Sequence, residues 1–198
     1  MTDNLEKEKY IDIYSGMLGQ SYQNRHNEKY GIGLWGTGVI DYIKQLNCNS
    51  LCDVGCGTGN FCNIISEYIP NVYGVDIASV ITNNVIQTVK VQFLDGEAKS
   101  IPLENNSVDW ITSFDCLEHC LPEDIDIIFN EFYRVSKKGL ILSISDLHDS
   151  HDGVPLHMTV QPQEWWYEKI KKFGKLTTFG SVPTTFQPYI ICEYNKES

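Results

Sequence analysis

Arginine is almost missing from this 198-residue chain: Arg25 and Arg134 are the only two, and 15 basic residues face 26 acidic ones for a formal charge of −11. Surfaces that track a phosphate backbone need clustered Lys and Arg, so bulk nucleic-acid binding is not an expected role. Long apolar runs are missing too. None approaches the roughly 20 residues that cross a bilayer, and the first ten residues, MTDNLEKEKY, are acidic and polar, unlike a secretory signal. The expectation is a cytoplasmic chain with no membrane partner. Repeats, low-complexity tracts and long linkers are likewise absent, and a length near 200 is the size of one domain with a substantial core of its own.

Cysteine is not scarce. Cys48, Cys52, Cys56, Cys62, Cys116, Cys120 and Cys192 make an odd count, several sit inside apolar runs, and no two form a CxxC pair. They read as reduced core thiols, with zinc the weaker alternative, and no metal is assigned.

The apolar pattern alternates between two periods. Helical spacing over residues 34–46 (Leu34, Trp35, Val39, Ile40, Ile43, Leu46) precedes a short apolar strand over 50–54. A helix with Phe61, Ile64, Ile65 and Tyr68 on its buried stripe should follow and stop at Pro70. Strands are expected over 72–75, 89–94, 108–114 and 140–145, with helices over 78–87 and 122–135. Lys137, Lys138 and Gly139 are expected to close the second of these helices. A polar loop over 146–160, a helix over 162–173 and two strands, over 175–182 and 188–194, complete the chain. Strands alternating with helices imply an α/β fold: one doubly wound, mostly parallel seven-stranded sheet, with the last strand antiparallel. Residues 1–46 are expected to form a helical lid on a core of residues 47–198. In such folds ligands sit beyond the carboxyl ends of the strands. Asp53 through Gly59, Asp76, Glu97 and Asp115 all lie at strand ends, so four segments point to one site.

Glycines at 55, 57 and 59 let the chain turn tightly and approach a ligand without Cβ clashes. Asn60 makes the spacing GxGxG rather than GxGxxG. Asp76 follows the third glycine by 17 residues and ends the next strand, where a carboxylate can accept both hydroxyls of a ribose.

Together these residues resemble the class I S-adenosylmethionine-dependent methyltransferases. Leu51-Cys52-Asp53-Val54-Gly55-Cys56-Gly57-Thr58-Gly59 is similar to the family's first motif, and Val72 through Ile77 to its second-strand motif. Gly96-Glu97-Ala98, with Pro102 and Asn106-Ser107-Val108-Asp109 downstream, resembles the third-strand motif. Glu97 stands where the family more often has Asp. Ser113 through His119 resembles the segment after strand four. The resemblance covers residues 48–145. It implies S-adenosylmethionine as cofactor, with Asp53, Gly55, Cys56, Gly57 and Gly59 along its methionine part. Asp76 would hold the ribose and Ile77 pack on adenine. Gly96, Glu97 and Ala98 would read the adenine edge, and Phe114 and Asp115 line the methionine end. An N-terminal segment commonly covers the cofactor in this family. Tyr14, Tyr22, Arg25, His26, Tyr30 and Trp35 are candidates for it here, with Arg25 suited to a bidentate grip on a carboxylate.

Three of the five histidines, His148, His151 and His157, lie in the 13 residues from Ser145 to His157. This stretch is a solvated loop, a source of a base or substrate contact, or, with its aspartates, a metal site; no metal is assigned. His157, flanked by Pro155, Leu156 and Met158, is the favoured base. His119 is the second candidate and His148 the third. Adjacent Trp165 and Trp166 cannot share a helix face, so at least one belongs to the core or to an interface.

The expected function is methyl transfer to a small-molecule acceptor, a sugar or another metabolite carrying a hydroxyl or amine. No Asn/Asp-Pro-Pro-aromatic motif follows strand four, and the charge opposes a polyanion. Two alternatives stay open: a nicotinamide-dependent oxidoreductase, which shares the loop and ribose acid, and a non-catalytic partner subunit that keeps the fold. Nothing in the sequence speaks to the oligomeric state.

Overall fold

The computed structural model describes residues 36–77, 90–180 and 188–196, together with Glu8 and residues 11–13. The helix expected over 78–87 lies outside these residues, as do Tyr14, Arg25 and the other cap candidates.

Helix α1 (Gly36–Gln45) leads to strand β1 (Ser50–Val54), helix α2 (Asn60–Ile65) and strand β2 (Asn71–Asp76). Strands β3 (Val91–Asp95) and β4 (Val108–Phe114) follow, then a single 3-10 turn (Leu117–His119), helix α3 (Ile125–Val135) and strand β5 (Ser136–Ser143). A small hairpin, β6 (Ser150–His151) and β7 (Val154–Pro155), precedes helix α4 (Gln163–Ile170) and strands β8 (Gly174–Phe179) and β9 (Tyr189–Tyr194). Seven strands form one sheet in the order β3-β2-β1-β4-β5-β9-β8. The first five are mutually parallel, and β9 runs antiparallel to both β5 and β8. The α/β class and the mostly parallel seven-stranded sheet with its antiparallel last strand are thus as expected. The strand order reverses beside β1, between β1 and β4, which places their carboxyl ends at the crevice where such sheets take ligands.

Burial on both faces explains the sequence of the central strands. All five residues of β1 are buried, as are the first six of β4, so apolar residues face both sides of these strands rather than alternating with exposed polar ones. One face packs under α1 and α2 with Val39, Ile43, Leu51, Phe61, Ile65, Trp110 and Ile191. The other packs under α3 and α4 with Val54, Ile111, Phe129, Phe132, Leu142, Trp166 and Ile190. Adjacent Ile190 and Ile191 go to opposite faces, as the two-residue period of a strand requires. The tryptophan pair divides as expected: Trp166 is buried in the second cluster and Trp165 lies partly exposed against it.

Lys137, Lys138 and Gly139 do not close helix α3; they belong to β5. The chain turns extended at Ser136 (φ −96°, ψ 148°), whose hydroxyl donates to the Phe132 carbonyl at 2.8 Å and ends the helix there. The strand then passes so close to β9 that a Cβ on Gly139 would stand 2.0 Å from the Cys192 carbonyl oxygen. The expected polar loop contains the β6–β7 hairpin, turned by Asp152 and Gly153 with φ of 49° and 77°. An Asp-Gly pair at positive φ is the usual way to join two strands by two residues. Among the described residues no helix is long and apolar enough to cross a membrane. All seven cysteines are free thiols, five of them buried.

Candidate active site

The glycine loop leaves β1 at Gly55, where φ is 78°. A Cβ there would lie 2.4 Å from the Cys116 sulfur and 2.7 Å from its Cβ, so conformation and space both demand glycine. This contact presses the end of β1 against the end of β4. The amides of Gly55 and Cys56 donate to the Val75 carbonyl at 2.8 and 3.1 Å, and the Gly57 amide donates to Asp76 Oδ2 at 2.9 Å. Gly57 and Gly59 also have positive φ, 53° and 73°. The loop is therefore tied to the end of β2 on one side and touches β4 on the other.

Below the loop, Asp53 is a buried carboxylate. Its Oδ1 accepts from the Thr112 hydroxyl at 2.7 Å, and the Cys62 thiol approaches Oδ2 at 3.8 Å. Burial, reinforced by the negative charge of Asp76, pushes its pKa up to about 7. Asp76 itself is half-buried at the end of β2, and the next residue, Ile77, is a large apolar side chain left 36% exposed. Gly96 follows β3, where a Cβ would meet Pro102 at 2.7 Å. Glu97 and Ala98 continue the turn, closed by the Ser100 amide on the Glu97 carbonyl at 2.9 Å. Arg134 on α3 pins the chain beyond it. Its guanidinium donates to the Ile101 and Leu103 carbonyls at 3.1 and 2.8 Å and holds Glu131 through two bonds of 2.7 Å.

The other wall grows from β4. Phe114 packs edge-on to Phe61 and Tyr189, with ring centres 5.0 and 5.8 Å away, on the α1–α2 face of the sheet. Asp115 has a positive φ of 46° and is fixed to β5: its amide donates to the Ser143 carbonyl at 3.0 Å, and the Ser143 hydroxyl donates to its Oδ1 at 2.8 Å. Burial raises its pKa. Glu118, in the 3-10 turn, is fully buried, and burial holds its pKa well above the usual carboxylate range. Its Oε1 accepts the Ser145 amide at 3.1 Å, whereas Oε2 has no hydrogen-bond partner. Its backbone carbonyl accepts the amides of Met158 and Thr159 at 2.7 and 2.9 Å, which draws the loop carrying His157 onto the turn.

His119 and His157, offered by the sequence as rival candidates, are in contact. Their rings meet edge to face with centres 4.6 Å apart. His119 Nδ1 donates to the Leu156 carbonyl at 3.0 Å, and His157 Nδ1 donates to the Leu147 carbonyl. A carbonyl only accepts, so Nδ1 carries a proton in both rings. Burial lowers the His119 pKa to about 4, which keeps the imidazole neutral. Among the described residues, one cluster could hold a metal ion: a ligating atom from each of Glu118, His119 and His157, all within 4.8 Å of one another. His148 is exposed and outside that cluster. The Cys56 side chain points into the core beside Gly74, so only its backbone lines the loop. Sequence reasoning passed over Glu118 as a partner of the histidines. The signal available was its place beside His119 in an otherwise apolar turn.

The Methyltransferase domain family matches residues 52–144, from β1 through β5. Residues 52–144, a little under half of the chain, thus match a methyltransferase domain. A curated relative, demethylmenaquinone methyltransferase of Roseiflexus castenholzii, is 25% identical over 142 residues, which are 68% of this chain and 58% of that protein. This chain therefore spans a little over half the length of that relative. A chain in the complex of the Haloferax volcanii Trm112 methyltransferase activator with a methyltransferase shares its fold at a TM-score of 0.69. That match has 13% identity and covers 96% of this chain and 97% of the other. Magnesium protoporphyrin IX methyltransferase of Synechocystis, solved with bound S-adenosylhomocysteine, aligns at a TM-score of 0.60 and 16% identity, over 78% of this chain and 80% of that one.

S-adenosylmethionine is the cofactor of this methyltransferase domain, and the residues present suit it. The loop at Gly55–Gly59 allows close backbone approach. A buried carboxylate, Asp53, lies beneath it for a cationic ligand, Asp76 offers an acceptor for hydroxyls, and Ile77 leaves apolar surface beside them.

Proposed function

We propose that this domain transfers a methyl group to a hydroxyl or amine of a small-molecule acceptor, a sugar or similar metabolite, seated beside Asp115, His119 and His157. One observation carries the reading: the Gly55–Cys116 contact sets the glycine loop of β1 directly against the strand end that bears the acid–histidine cluster. The cofactor would lie along Asp53, Gly55, Gly57 and Gly59. Asp76 would accept its ribose hydroxyls, Ile77 would cover the adenine, and Glu97 and Ala98 would face the adenine edge. When bound, S-adenosylmethionine supplies an electrophilic methyl group on a sulfonium.

Alignment of the acceptor is the larger task for the protein, since proximity and orientation supply on the order of 7–11 kcal/mol and a general base only about 3–5. The rigid fastening of Asp115 to Ser143 and of Glu118 to Ser145 supports that role. His157 or His119 would take the proton of the acceptor if a base is used. The net charge of −11 disfavours a polyanionic acceptor, and the relative named for demethylmenaquinone acts on a small molecule. Helix α1 is packed into the core, so a cover over the cofactor would come from the residues before it, with Arg25 and Tyr14 as contacts. The free thiols suit a reducing, cytoplasmic setting.

Calorimetry of the purified chain with S-adenosylhomocysteine and with NADH tests the reading. Binding of the first alone is expected, followed by release of S-adenosylhomocysteine in a screen of hydroxyl and amine metabolites. Binding of NADH alone would overturn it.

A further inference from the structure

Glu118, His119 and His157 are arranged as metal ligands are, rather than as a base with its partner. Each is held by the backbone: the Ser145 amide on Glu118 Oε1, the Leu156 carbonyl on His119 Nδ1, with a further backbone bond of His119 to Asp115, and the Leu147 carbonyl on His157 Nδ1. Histidines that bind metals characteristically donate the distal ring N–H in this way, which fixes the tautomer and aims the other nitrogen at the ion. The second oxygen of Glu118 is fully buried and has no hydrogen-bond partner, a state that costs free energy unless a cation or donor answers it. One ligating atom from each residue lies within 4.8 Å of the others. Ligand atoms of a tetrahedral ion with bonds of about 2.1 Å stand about 3.4 Å apart, so the side chains must draw together by about 1 Å to close the site. Asp115, close enough to interact electrostatically with Glu118 and His157, adds negative charge beside the cluster.

We propose that Glu118, His119 and His157 form a binding site for a divalent first-row transition ion. Two imidazoles and one carboxylate favour such an ion over Mg2+ or Ca2+, which prefer an all-oxygen shell. Ligation consumes the Nε2 lone pairs that a general base would use, so the site replaces the base role of the two histidines. On the methyltransferase reading, the ion would polarise an acceptor hydroxyl beside the glycine loop. Metal binding is measured without cofactor or acceptor, so its failure leaves that reading standing.

The full chain, stripped with EDTA and desalted, is titrated with Co2+ and followed by calorimetry and by visible absorption. One site per chain is expected, with d–d bands and no thiolate charge-transfer band, because the ligands are nitrogen and oxygen. His157→Ala should weaken the binding at least about tenfold, and the exposed His151→Ala should leave it unchanged. Glu118→Gln should also weaken it; because that residue is buried and its variant can fail to fold, His157→Gln serves as the second variant. No binding, a charge-transfer band from thiolates, or equal affinity in the His157 variants would overturn the proposal.

Discussion

The Gly57 amide donates to the Asp76 carboxylate at 2.9 Å, which ties the tip of the glycine loop to the end of the second strand. One side chain thus shapes the loop and stands where the ribose is expected. Asp76→Ala removes both. A charged hydrogen bond contributes about 1.5–3 kcal/mol, so the S-adenosylhomocysteine dissociation constant should rise roughly 10- to 150-fold. Calorimetry reads this directly, and an unchanged constant would remove Asp76 from the site.

Gly55→Ala adds a methyl group 2.4 Å from the Cys116 sulfur at a φ of 78°. The left-handed conformation costs an ordinary residue about 1–2 kcal/mol and overpacking about 1–3 more. A loss of about 2–5 kcal/mol is expected in urea denaturation. Cys116→Gly in the same chain should recover the steric part and leave the conformational part.

Asp53 should give the stability of the ligand-free protein an unusual pH dependence. Its carboxyl titrates near 3.8 when unfolded and near 7 when folded, so between those values the native state binds more protons. Its contribution is fully present below the unfolded pKa and is lost as the pH rises towards 7, with a slope of up to about 1.4 kcal/mol per pH unit. Asp53→Asn, which can still accept from Thr112, should flatten the melting-temperature profile between pH 4 and 7. A profile identical to the parent would show that Asp53 titrates normally.

Arg134→Lys keeps the charge but loses the fork that spans Glu131 and the Ile101 and Leu103 carbonyls. The group is partly exposed, so a cost of about 1–2 kcal/mol is expected from the urea midpoint. The chain it pins follows Glu97, so S-adenosylhomocysteine affinity should also fall, though by less than in Asp76→Ala.

Much of the architecture was legible because β1 and β4 are buried on both faces and carry apolar residues without strict alternation. The glycines mark a turn that no other residue can make. The helix ends at Val135, as expected, but the start of β5 at Ser136, rather than at residue 140, was not legible. Lysines followed by glycine usually cap a helix, and only the pairing of β5 with β4 and β9 shows why these residues are already strand and why Gly139 must lack a side chain. The hairpin at Asp152–Gly153 carried its turn signal in plain view, but its strands are only two residues long and lie below the length at which alternation can be seen.

The site divides in the same way. Local sequence determined the glycine loop, the acid at the end of each strand and the parallel sheet that aligns them, because each depends on spacing within a few residues and on the two repeat periods of the backbone. The meeting of His119 with His157, 38 positions apart, was decided by tertiary structure, as was the burial of Glu118 between them. Two amides of the later loop bond to the Glu118 carbonyl and bring these residues together. Contacts of that range follow from how the whole chain packs, and no local pattern encodes them.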